Sequence, residues 1–79
     1  MPISAVKFNA TAVEVAVNDD IIVVVLADGR ELAVPLAWFP RLADATAEQR
    51  KNWRLIGRGL SIHWPDVDED VSIACLLQS

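Results

Sequence analysis

One stretch of the chain, His63-Trp-Pro-Asp-Val-Asp-Glu-Asp70, sets its single histidine beside Asp66, Asp68, Glu69 and Asp70. Imidazole and carboxylates at that density could hold a divalent cation or pass a proton. A calcium loop opening at Asp66 would need glycine at its sixth place for the sharp turn and a bidentate glutamate at its twelfth. Those places hold Val71 and Leu77, so the EF-hand pattern fails. Carboxylates in such a turn accept backbone amides instead, and Asp70, just ahead of Ser72, suits a helix N-terminus. A lone histidine works as acid or base only beside a nucleophile or a cleft. No Ser, Cys or Lys stands at a spacing that supplies the nucleophile, so the expectation is of no catalytic residue, no metal ligand and no cofactor.

A second group is basic. Arg50, Arg54 and Arg58 recur every four residues, with Lys51 adjacent. On a helix they would form one stripe of like charge, mildly unfavourable for the helix itself and able to meet phosphate or a carboxylate-rich partner. No aromatic stacking pattern accompanies it, as single-stranded nucleic acid would require, and a solvated outer face accounts for it as well. The third group is aromatic. Trp53 and Ile56, three apart on the same helix, would share a core face. Trp38 and Phe39 are neighbours and cannot both point inward, so one of them marks an interaction patch. The candidate interaction residues are therefore Trp38, Phe39, Arg50, Arg54, Arg58, His63, Trp64, Asp66, Asp68 and Asp70.

The elements that position these residues can be read from periodicity. Val13-Glu-Val-Ala-Val17 alternates, Ile21 to Leu26 is a continuous apolar run, and Asn18-Asp19-Asp20 lies between them, the pattern of a hairpin. Asp28-Gly29 is the dipeptide favoured by a type I′ turn, and Arg30 to Val34 returns as a third strand. The second strand, apolar on both faces, should be central and covered on its second face. Thr46-Ala-Glu-Gln49 has capping-box spacing, and its helix is expected to run to about Ile56, stop at Gly57 and pack on the sheet. Pro35 and Pro40 bracket a turn or short helical bridge carrying Trp38 and Phe39. Leu60 to Trp64 reads as a short strand ended by Pro65, with Asp66 to Asp70 an acidic turn. His63 should face away from Ile62 and Trp64. From Val71 to Ser79 a short helix capped by Ser72 and a continued strand are both open, the helix being favoured.

Composition bounds the rest. Seventy-nine residues that are 53% apolar make one folding domain with a modest core. So small a core leaves self-association or a partner chain open. The net charge of −4 disfavours a nucleic-acid surface over the whole domain and suits a basic partner. One cysteine, Cys75, excludes an internal disulfide and a multi-thiolate zinc site; inside Val71 to Leu77 it should pack as a small hydrophobe. Met1 to Lys7 lacks the basic and apolar regions of a leader, and no run is long enough to span a membrane, so a cytoplasmic location is expected.

Taken together, Leu26-Ala-Asp-Gly-Arg-Glu-Leu-Ala-Val-Pro35, Trp38-Phe-Pro-Arg-Leu42, Asn52-Trp-Arg-Leu-Ile-Gly57 and Ile62 to Asp70 resemble the bacterial family called domain of unknown function 2442. The likeness runs from about Val13 to Leu77. It implies a small bacterial protein, with some relatives fused to a helix-turn-helix module and many encoded beside another small protein, as in toxin and antitoxin pairs. No catalytic residue is established for the family, so the likeness assigns none here.

The expected fold is α+β, an antiparallel meander of about three to four strands packed against one α-helix, with a short C-terminal helix or strand. The expected function is non-enzymatic protein binding, as the antitoxin-like member of a pair whose partner is small and basic. The alternatives are a nucleic-acid or regulatory accessory domain using Arg50, Arg54 and Arg58, and a small metal-dependent enzyme centred on His63.

Overall fold

The computed structural model of the chain describes residues 9 to 78, so the reading of Met1 to Lys7 lies outside the described residues. The first three strands form where expected: β1 (Ala12–Val17), β2 (Ile21–Leu26) and β3 (Glu31–Pro35) make an antiparallel sheet in the order β1-β2-β3. The register of β1 shifts between Ala12 and Glu14, however, so Ala12 and Val15 are buried and Val13 is exposed in place of the expected strict alternation. Asn18 makes the first turn, its Oδ1 accepting the amides of Asp20 and Ile21 at 2.7 and 2.8 Å. In the second turn only Gly29 has positive φ, at 93°. The loop is thus a three-residue one, closed by Leu26 N–H donating to Arg30 C=O at 2.8 Å, and not the expected type I′ turn. Along β2, Ile22, Val24 and Leu26 are buried while Ile21, Val23 and Val25 are half-buried. One face therefore meets the core, and among the described residues no long helix covers the other.

A short 3-10 helix, Leu36–Trp38, and α1 (Pro40–Ala43) lead away from β3, with Pro40 in the first turn of α1 where a missing N–H costs nothing. The capping box of α2 (Ala47–Lys51) is present: Gln49 N–H donates to Thr46 Oγ1 at 3.1 Å and Thr46 N–H to Gln49 Oε1 at 3.0 Å. The helix ends at Lys51, however, and not near Ile56. Arg54–Ile56 is β4, which pairs with β5 (Ser61–Trp64) across a turn holding Gly57, Arg58 and Gly59 at φ of 61°, 61° and 92°. A five-residue helix that buries none of its residues is too short to stand on propensity and is held by its cap and by the bonds of Arg50. The aromatic and branched run Trp53 to Ile56 gains more by pairing in a sheet. Trp53 and Ile56 therefore share no helix face; Trp53 is partly buried against the core and Ile56 is exposed.

Strand and helix both occur in the tail, in succession, as β6 (Glu69–Ser72) and then α3 (Ile73–Leu77); Ser72 stands at the N-cap position, but its side chain makes no capping hydrogen bond. The strands β4-β5-β6 make a second antiparallel sheet, in place of a single meander under one helix. The fold is α+β, two three-stranded sheets with three short α-helices among the described residues. The sheets meet at Gly59, whose C=O accepts Ala12 N–H at 2.7 Å; a Cβ there would lie 2.3 Å from the Ala12 oxygen. One buried cluster draws on both, with Val15, Ile22, Val24 and Leu26 from the first sheet, Ile62, Trp64 and Val71 from the second, and Leu36, Leu42, Ile73 and Leu76 from the short helices. No helix among the described residues is long and apolar enough to cross a membrane.

Candidate functional site

Alternation along β5 and β6 sends Ile62, Trp64 and Val71 to the core, and His63 and Asp70 to the other face. His63 and Asp70 are direct cross-strand partners, with Nδ1 and Oδ1 2.6 Å apart. Ile73 N–H donates to Leu60 C=O at 3.0 Å, so by the alternation of the ladder Ile62 and Val71 form a hydrogen-bonded pair and the Asp70 N–H turns outward, donating to the Glu69 carboxylate at 3.2 Å. The pair of His63 and Asp70 is thus of the non-hydrogen-bonded kind, in which facing side chains stand closest. An ionised carboxylate only accepts, so Nδ1 of His63 is the donor. Arg54 is the partner of His63 on its other side, which makes Arg54, His63 and Asp70 one row across the sheet; Ile56, Ser61 and Ser72 make the next. Among the described residues no group of three or more His, Cys, Asp or Glu side chains is placed to hold a metal ion.

β6 is an edge strand of its sheet, and beside it opens a cleft of about 460 Å³ lined by Trp38, Phe39, Ser61, Asp70, Val71, Ser72, Cys75 and Leu76. The 3-10 helix supplies Trp38, 52% exposed, with half-buried Phe39 next to it. On the other side α3 supplies Cys75, which is exposed and so does not pack as the small hydrophobe expected of it. The Asp70 N–H points out of the sheet at this edge. By the strand period that of Ser72 points the same way. The cleft thus joins an apolar wall, a carboxylate and the outer edge of β6, whose Asp70 N–H an added strand would take over from the Glu69 carboxylate; these are the elements of a site for an extended peptide segment.

The remaining candidates are dispersed. Arg50 lies in α2 with its guanidinium turned inward, donating to the C=O groups of Leu42 and Ala43 at 2.9 and 2.8 Å and pairing with Asp19 at 2.9 Å. Arg54 lies in β4 and Arg58 in the turn after it, so the expected helical stripe does not exist. Trp64 is fully buried, its Nε1–H donating to Arg50 C=O at 3.0 Å; it belongs to the core and not to an interaction surface. Asp66 accepts from the Asn52 amide at 3.0 Å. Asp68 takes positive φ, and its C=O accepts from Arg41 at 2.8 Å. Glu69 and Asp70 are strand residues, so the acidic turn is shorter than expected.

The residues missed from sequence are Ser61, Ser72 and Cys75 in the cleft, and Asp28 elsewhere. Period two along β5 and β6 would have found the serines, since they alternate with the buried residues. Asp28 anchors the second hairpin: it accepts the Asn9 amide at 2.8 Å and pairs with Arg30 at 2.8 Å. The hydrogen bond from the Arg30 side chain, helped by the amides of Arg30 and Asn9, holds its carboxyl down from 3.8 to about 2.

The fold recurs in solved structures. A protein of unknown function from Rhodospirillum rubrum ATCC 11170 superposes with a TM-score of 0.74 at 24% identity, over 86% of this chain and 84% of that one. The uncharacterized protein CV0863 of Chromobacterium violaceum, determined by NMR in solution, gives 0.73 at 30% identity, over 86% of this chain. The match spans 64% of the Chromobacterium chain. No curated protein matches. The sequence profile described as protein of unknown function (DUF2442) matches residues 12–79, and the chain belongs to that family.

Proposed function

We propose that this chain is a cytoplasmic, non-enzymatic protein-binding domain that takes an extended segment of a small basic partner along the free edge of β6, as the antitoxin-like member of a two-gene pair. The observation that carries this reading is the cleft on that edge, where the exposed Trp38 indole stands beside Asp70 and the outward amides of β6. An added strand would draw affinity from the main chain, and specificity from an apolar side chain against Trp38 and Phe39 with a cation near Asp70. The carboxylates of Asp68, Glu69 and Asp70 and the net charge of −4 favour a basic segment and speed its encounter. The inward guanidinium of Arg50 takes away the stripe on which a nucleic-acid role would depend.

The test is coexpression with the protein encoded beside this one, followed by copurification. Trp38→Ala should weaken capture by about 30-fold or more, the scale of a central aromatic anchor, while leaving the melting temperature unchanged. Absence of copurification, or capture indifferent to Trp38→Ala, would overturn the reading.

A further inference from the structure

The two edges of the β4-β5-β6 sheet carry opposite charge. At the β4 edge the side chains of Arg54 and Arg58 make no hydrogen bond or ion pair among the described residues. Ile56 and Leu60 next to them are 48% and 60% exposed. All three residues of β4 are exposed, and among the described residues the strand pairs with β5 alone, so its outer row of main-chain groups is open there. At the opposite edge stand Glu69 and Asp70, with the cleft alongside. An open strand edge is a template for another strand, and here each edge offers the charge that the other lacks.

We propose that the chain self-associates head to tail, the β4 edge of one copy adding to the β6 edge of the next. The proposal rests on the docking role given to β6 above, and it names a second copy as the occupant of that edge when the basic partner is absent. Strand order supports the fit. β4 and β6 both run antiparallel to β5, so a β4 added with the sheet's faces preserved lies parallel to β6. Arg54 of the next copy then extends the row that ends at Asp70, cation against carboxylate. Ile56 of the next copy extends the row that ends at Ser72 and covers the apolar cleft. Such a contact is heterologous, so it grows into a ring or an open chain and not a closed two-fold dimer.

Sedimentation of the full chain over a range of concentrations tests this, with one edge blocked at a time. Arg54→Glu with Arg58→Glu reverses the β4 edge. Ser72→Pro removes an outward N–H from β6 at a residue whose φ of −83° proline adopts readily. The wild type should gain mass with concentration and lose it as salt is raised from about 0.05 to about 0.5 M. Each variant, folded by circular dichroism, should stay monomeric. An equimolar mixture of the two should give a 1:1 heterodimer and nothing larger, because each supplies the one edge the other lacks. A wild type monomeric throughout, folded variants that assemble like it, or a mixture that stays monomeric would each overturn the proposal. A monomeric wild type that still captures its partner through Trp38 would sink self-association alone, whereas assembly as described without capture would sink the heterologous partner alone.

Discussion

Asp28 shows how much one carboxylate can organise. Its oxygens accept from Asn9, from the Arg30 amide and from the Arg30 side chain, so it ties the start of the described chain to the loop between β2 and β3. That company favours the charged form and lowers its pKa to about 2. Unfolded, the same carboxyl returns to about 3.9, so the folded chain binds the proton less readily. The sign follows from linkage: the contribution is fully present above about pH 4 and is lost as pH falls toward 2. Asp28→Asn should therefore lower the melting temperature at neutral pH. Between pH 4 and 2 it should lack one increment of acid destabilisation that the wild type shows. Parallel melting curves for the two proteins through that range would contradict the assignment. The tryptophans divide just as clearly, since Trp64 fills the core with its N–H satisfied by Arg50 while Trp38 stands in solvent at the cleft. Identical side chains are here given opposite duties by strand alternation and by a 3-10 turn.

At the scale of elements, the joint between the sheets depends on Gly59. Its φ of 92° is poorly tolerated by other residues, and a Cβ would meet the Ala12 backbone at 2.3 and 2.9 Å. Gly29 has nearly the same φ, 93°, but nothing within 4 Å of a Cβ. Gly29→Ala should thus cost about 1–2 kcal/mol for the left-handed conformation alone. Gly59→Ala should cost that and more, because β1 must shift and the 2.7 Å bond from Ala12 N–H is strained. Urea unfolding of the two variants checks the order, and equal losses would mean that the joint yields freely. The contrast also explains what could be read from sequence. The two hairpins of the first sheet were legible because alternation and turn residues act within a few positions. The capping box of Thr46 and Gln49 was legible for the same reason, and so was the orientation of His63 away from Ile62 and Trp64. The end of α2 was not, because Trp53 to Ile56 gives up helix for a pairing with β5 that depends on the turn at Gly57 and Gly59 and on the bond from Ala12 N–H to Gly59 C=O. The cleft was not legible either, since it exists only where the turn holding Trp38 passes β6, more than thirty residues away.

For the whole molecule the question is whether two sheets amount to one folding unit. Each has only three strands, and those of the second are three or four residues long, too little to be stable without a covered apolar face. The buried cluster supplies that cover from both sides at once: Trp64 and Ile62 belong to the same core as Ile22 and Val24, joined by Leu42 of α1 and Ile73 of α3. The link between Ala12 and Gly59 crosses the same junction, and the ion pair of Asp19 with Arg50 ties the first hairpin to α2, whose Arg50 C=O accepts from Trp64 of the second sheet. Neither sheet can leave without exposing the apolar face of the other, so they should unfold together. Hydrogen exchange by NMR, on dilute protein to keep it monomeric, measures this directly. The most protected amides of β2 and of β5 should give the same opening free energy, equal to that from urea. If β5 instead opens well below β2, the second sheet is a separate and weaker unit docked on the first. Gly59→Ala should push the protein in that direction, lowering the protection of β5 more than that of β2, because it loosens the joint while leaving the ladder of the first sheet intact.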